Sequence, residues 1–171
     1  MLGHVIISHG LQSSPQASKA LALDERAQAL GWSCERPDFR DLDGASELGD
    51  VHARILRLRR LAEAVSGPLV LAGSSMGAFI SARVSLEVAV AGLFLMAPPT
   101  QLRGYAISLE AAQVPTRIVH GWHDELIPAS AVVGWAKLRS DHLVLVNDSH
   151  RLAAHVALCA DEFGRLLQGL W

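Results

Sequence analysis

Leu69-Val70-Leu71-Ala72-Gly73-Ser74-Ser75-Met76-Gly77 is the stretch on which the fold of this chain turns. Its four leading apolar residues are a buried-strand signal. Gly73 to Gly77 then fits the pattern G-x-S-x-G, and the segment from Met76 to about Val88 reads as a helix. A sharp strand-to-helix turn holds its central residue in a strained conformation with the side chain exposed, which makes Ser75 the candidate nucleophile. Small residues two positions to either side avoid clashes around such a turn, and Gly73 and Gly77 supply them. The helix start beneath favours developing negative charge. Glycine and serine are common, so the pattern alone is cheap; its place between a strand and a helix gives it weight. Ser74, one residue out of register, is a poor rival.

Toward the N-terminus, Val5-Ile6-Ile7 is a second buried-strand signal, closed by His9-Gly10. Ser13-Ser14-Pro15 predicts a helix start with Ser14 as N-cap and Pro15 at the first helical position. That helix runs to about Leu30 and stops at Gly31. Ser33 to Arg36 is a weak strand. Asp50 to Val65 reads as an amphipathic helix, with Val51, Ile55, Leu58 and Ala62 on one face. Arg54, Arg57 and Arg60 fall on other faces and are expected in solvent. Toward the C-terminus, strands are expected at Val90–Ala97, Thr116–His120 and Leu143–Val146, and helices at Ala129–Arg139 and from Ala153 to about Gln168. Residues 100 to 114 are ambiguous. About six continuous apolar strands separated by helices predict an α/β fold, a parallel sheet covered on both faces. No internal repeat or linker divides the chain, so residues 1–171 are expected to be a single domain.

A serine hydroxyl needs a base. Of the eight histidines, His150 follows the last strand across the short polar loop Asn147-Asp148-Ser149, at the carboxyl end where parallel sheets bind ligands. His52 lies in an exposed helix, His142 before its strand, and His155 inside the final helix. Asp124 sits just past the strand Thr116–His120 and is the candidate acid that orients the imidazole. The order serine, acid, histidine fits. Asp148 is nearer to His150 in sequence and stands as the weaker alternative, as does a purely helix-capping role for Asp124. The oxyanion needs donors: Met76 N–H follows the nucleophile, and the loop Ser8-His9-Gly10-Leu11 offers Leu11 N–H, with Gly10 permitting the turn. His9 reads as structural, because no spaced partner suggests a metal site. No metal or cofactor is expected.

Composition narrows the partners. Half of the 171 residues are apolar and 19% are charged, which favours a filled core over disorder. A net charge of -2 offers no broad basic surface for nucleic acid or anionic lipid. The longest apolar run, near Val88 to Ala97, falls short of the roughly 18 residues a membrane helix needs. With no signal peptide in Met1-Leu2-Gly3-His4 and only two cysteines, Cys34 and Cys159, a cytoplasmic protein acting on a small molecule is expected.

Taken together, these elements resemble the α/β-hydrolase superfamily along nearly the whole chain. His9-Gly10 resembles its oxyanion loop, Gly73 to Gly77 its nucleophile elbow, and Val114-Pro115 through Gly121, Asp124 and Pro128 its acid-bearing segment. More narrowly, His9-Gly10-Leu11-Gln12-Ser13-Ser14-Pro15, followed by Lys19, is similar to the start of the small YqiA-like esterases. The resemblance implies a compact hydrolase core without a large lid. It implies hydrolysis of a small ester or thioester by Ser75, Asp124 and His150, with the Leu11 and Met76 amides holding the oxyanion. Amide or carbon–carbon cleavage by the same groups, and a catalytically silent scaffold serving as a binding module, are the alternatives.

Overall fold

The structure, a computed structural model, describes residues 1–44 and 46–171. Its strands are β1 (His4–Ser8), β2 (Ser33–Glu35), β3 (Leu69–Ser74), β4 (Gly92–Met96), β5 (Thr116–Gly121) and β6 (His142–Val146). The helices are α1 (Ser18–Ala29), α2 (Val51–Glu63), α3 (Met76–Val84), α4 (Ala129–Arg139) and α5 (Val156–Gln168). The strands form one parallel sheet in the order β2-β1-β3-β4-β5-β6.

Successive side chains on a strand point to opposite faces, and here both faces are covered. Ile6, Leu69, Leu71, Leu93, Leu95 and Ile118 pack with α2, α3 and α4. Val5, Ile7, Val70, Ala72, Phe94, Met96 and Val119 pack with α1 and α5. This double burial is why the strands read as unbroken apolar runs rather than alternating ones.

The order of the strands positions the site. From β1 the chain turns outward to β2, and it returns to β3 on the other side of β1. Helix α1 therefore leaves β1 over one face, while α3 leaves β3 over the other. Between the carboxyl ends of β1 and β3 the outgoing loops diverge and leave a crevice, the topological switch point of an open α/β sheet.

Three local expectations are corrected. Helix α1 starts at Ser18, not Pro15. Ser14 Oγ instead accepts from Gln16 N–H, Ala17 N–H donates to the Ser14 carbonyl, and the Pro15 carbonyl is taken by the Arg36 guanidinium. The residues from Ser14 to Ala17 thus make a turn tied to the β2 end, with Ala17 still extended at ψ 142°. The second correction is Arg54, expected in solvent and in fact fully buried. The last helix also divides, with a short 3-10 turn at Ala153–His155 before α5.

The ambiguous stretch is a loop held to the body. Leu102 and Leu109 are buried, Trp135 Nε1 donates to the Leu109 carbonyl at 3.0 Å, and Arg139 donates to the carbonyls of Ala111 and Ala112. No described helix is long and apolar enough to cross a membrane.

Candidate active site

Ser75 caps α3 at φ 54° and ψ −116°, a backbone conformation disfavoured for any residue with a Cβ. The strain is held by the packing around it. Ser75 N–H donates to the Met96 carbonyl at 2.9 Å, which ties the turn to β4. A Cβ on Gly77 would collide with the Ser8 carbonyl, and one on Gly73 with the Gly77 backbone. The glycines therefore let α3 start directly against the ends of β1 and β3.

The loops after β5 and β6 are stitched together beside this turn. Trp122 N–H donates to the Val146 carbonyl at 2.9 Å and His123 N–H to the Asp148 carbonyl at 3.1 Å. Gly121 allows this approach, since a Cβ there would strike the Asp148 carbonyl. Asp124 Oδ1 accepts from the Leu126 and Ile127 amides at 2.9 and 2.7 Å, leaving Oδ2 to accept from His150 Nδ1 at 2.7 Å. His150 Nε2 lies 3.0 Å from Ser75 Oγ. A carboxylate can only accept, so Nδ1 carries the proton and Nε2 presents its lone pair to the serine hydroxyl. The Asp124 side chain is fully buried and His150 is 13% exposed, which leaves this polar chain open at its serine end.

Asp148 is spent elsewhere. Its Oδ2 accepts from His155 Nδ1 at 2.8 Å and from Ala154 N–H at 3.0 Å, and its Oδ1 accepts from Ser149 N–H. It shapes the loop that carries His150. The His150 amide donates to Glu125 Oε2 at 3.1 Å, and Lys19 reaches from α1 to the Arg151 carbonyl. Lys19 and Glu125 thus steady the histidine loop from two sides.

Beneath β1, the Phe39 amide donates to His9 Nε2 at 2.9 Å. The His9 proton therefore sits on Nδ1, which donates to the Gly10 carbonyl at 2.7 Å. Both ring nitrogens are used within the fold. Met76 N–H belongs to the first turn of α3, where amides have no intrahelical acceptor. Among the described residues, Leu11 N–H donates to no backbone carbonyl.

Sequence reasoning missed Arg54 and His120. Arg54 donates to the His9 carbonyl at 2.8 Å and pairs with Asp43 at 2.6 Å. Removing one member of a buried pair of this kind typically costs about 3–5 kcal/mol. His120 lies fully buried under Asp124, with Nε2 2.9 Å from the Ile127 carbonyl and 3.4 Å from Asp124 Oδ2.

His9 and His120 are both held below the ordinary histidine value of 6.5, chiefly by burial. A base whose folded value lies under its unfolded value takes up protons on unfolding. Its contribution to stability is complete above about pH 6.5 and is lost as the pH falls through the folded value. The melting temperature is therefore expected to fall on acidification below about pH 6.5, and His120→Gln should flatten part of that slope. Melts across that range check this; equal slopes in the two proteins would contradict it.

No protein-family model matches the chain, and no curated protein does. Solved structures do. A protein of Xanthomonas campestris pv. campestris, assigned to the alpha/beta superfamily of hydrolases, is 53% identical, with a TM-score of 0.96 over 98% of this chain and 99% of that one. An alpha-beta serine hydrolase homologue from Coxiella burnetii is 25% identical, with a TM-score of 0.79 over 98% of this chain and 86% of that one. An a/b serine hydrolase without lid from Xanthomonas campestris is 19% identical, with a TM-score of 0.73 over 99% and 83%.

Proposed function

Because this chain belongs to the α/β-hydrolase superfamily, we propose that it is a serine hydrolase cleaving small carboxylic esters or thioesters through an acyl-enzyme on Ser75. The observation that carries this reading is the unbroken chain from Ser75 Oγ through His150 to the buried Asp124, at 3.0 and 2.7 Å. In it, a bond forms between Ser75 Oγ and the carbonyl carbon while His150 Nε2 takes the hydroxyl proton. The carbonyl electrons move to oxygen, where the Leu11 and Met76 amides receive the charge. His150 then passes its proton to the departing alcohol or thiol. A water deprotonated by the same nitrogen attacks the acyl carbon, and Ser75 recovers its proton as the acid leaves. Asp124 keeps the imidazole in the required tautomer throughout. No cofactor takes part in this scheme.

The substrate is expected to be short and soluble. Residues 97–115, where a cap would be inserted, run against the body through Leu102, Leu109, Trp135 and Arg139. The lidless Xanthomonas serine hydrolase has the same fold. A recess of about 300 Å³ lined by Leu48, Val51, His52 and Tyr105 opens next to the Leu11 side chain, which abuts Gly49 in its wall.

A fluorophosphonate should label the protein on Ser75, as located by peptide mass spectrometry. Short 4-nitrophenyl esters should be hydrolysed with no jump in rate above the substrate's micellar concentration. Labelling at another residue would move the nucleophile. No labelling and no turnover on any acyl ester would favour a silent binding scaffold.

A further inference from the structure

Helix α2 turns a guanidinium inward among apolar side chains. Its other inward residues are Val51, Ile55, Leu58 and Ala62, yet Arg54 is as buried as any of them. Nε and Nη2 donate to Asp43 Oδ1 at 2.9 and 2.6 Å, which fixes the plane of the group. Nη1 then donates to the His9 carbonyl at 2.8 Å and Nη2 to the Gly10 carbonyl at 3.3 Å. Phe39 lies against the guanidinium, with its ring centroid 4.9 Å away. Two consecutive carbonyls of the β1 loop are thus pinned from the side of α2, and His9 Nδ1–H adds a second donor to Gly10.

A peptide is planar, and in its trans form the C=O and N–H point in opposite directions. The Gly10–Leu11 peptide is trans. With the Gly10 carbonyl fastened to Arg54, Leu11 N–H is turned away from α2. Across the loop stands the nucleophile turn: a Cβ on Gly10 would lie 3.2 Å from the Ser74 carbonyl and 3.5 Å from Ser75 Cβ. A cation on the carbonyl also polarises the peptide, strengthening the N–H as a donor. An apolar residue would fill the space under α2 without desolvating a charge, so packing alone does not call for arginine.

We propose that Arg54 is a positioning residue for hydrolysis: its fork on the His9 and Gly10 carbonyls, anchored by Asp43, holds the Leu11 amide aimed at the oxyanion. This rests on the acyl-transfer reading of Ser75. Lysine, whose donors all sit on one nitrogen, cannot reproduce a planar fork on two carbonyls.

The test compares wild type with Arg54→Lys and with the paired change Arg54→Met/Asp43→Leu, which removes the clamp without stranding a buried charge. Turnover is read on 4-nitrophenyl acetate and folding by thermal melting. The hole itself is read by 19F NMR titration of the hemiketal that a trifluoromethyl ketone forms with Ser75. The paired variant should keep KM within about threefold and lose about tenfold to a hundredfold in kcat, part or most of what a lost oxyanion donor costs. Its hemiketal should ionise at higher pH than that of wild type, and Arg54→Lys should fall between the two. If the paired variant does not fold, Arg54→Lys decides alone: a lowered kcat with a raised hemiketal titration supports the assignment. A folded variant with unchanged kcat and unchanged titration overturns it. A wild type that forms no ketone adduct and hydrolyses no ester overturns the nucleophile reading, and this inference with it.

Discussion

Ser75→Ala is expected to lower kcat on a short acyl ester by about a millionfold, the scale seen when a serine nucleophile is removed from such a set. Its Oγ is the hydroxyl that His150 Nε2 faces at 3.0 Å, so the alanine variant has no oxygen for the imidazole to activate. What remains is binding and the oxyanion donors, worth about a thousandfold to ten-thousandfold over water in comparable enzymes. The fold should not suffer. Alanine carries the same Cβ at φ 54°, so the backbone strain is unchanged and only one half-buried hydroxyl is lost. The measurement pairs single-turnover kinetics with thermal melting on the same preparation. An alanine variant within tenfold of wild type would sink the assignment of Ser75.

Leu11→Pro should have the second largest effect. Proline has no N–H, so the substitution deletes the donor that the clamp on Gly10 is proposed to aim. Loss of one oxyanion donor typically costs about a hundredfold to a thousandfold in turnover, roughly 3–4 kcal/mol. Leu11→Ala keeps the amide and should retain most of the activity, losing side-chain packing against the core and Gly49. Proline also restricts Gly10, so melting temperature must be read beside rate. The informative outcome is a near-normal melt with kcat collapsed in the proline variant alone. A folded proline variant with normal turnover would mean that another amide builds the hole.

Ser75, Asp124 and His150 were readable as candidates because each lies at or within a few residues of the carboxyl end of an apolar strand, and those ends in a parallel sheet share one edge. The structure brings the three into hydrogen-bond contact; their roles in catalysis are what the variants test. The strands were readable because burial on both faces leaves unbroken runs such as Val5-Ile6-Ile7. Arg54 was hidden for the opposite reason. Helical periodicity assigns charge to solvent, and nothing in the spacing from Asp43 to Arg54 announces that the two meet across a loop. The start of α1 was misplaced because Pro15 gives its carbonyl to Arg36, a partner from the far side of the helix that local sequence does not disclose. Residues 100–114 had no periodicity to read, since they are held by single anchors, Leu102 and Leu109 in the core and the Leu109 carbonyl on Trp135, rather than by a repeating element.

The pairing of α1 with α5 sets an order of events in synthesis. A chain emerging N-terminus first, at about 5–20 residues per second, can finish α1 and all six strands before α5 exists. Until then Phe94 and Val119, on β4 and β5, lack the cover that Phe163 and its neighbours on α5 provide. The half-built sheet waits with part of one apolar face open, a state prone to association and suited to chaperone capture. The loop carrying His150 lies between β6 and α5. Docking of α5 against α1, through contacts such as Arg26 with Asp161, closes the core and steadies that loop in the same movement. The nascent protein would thus cover that face and fix the position of His150 together, once α5 has been made.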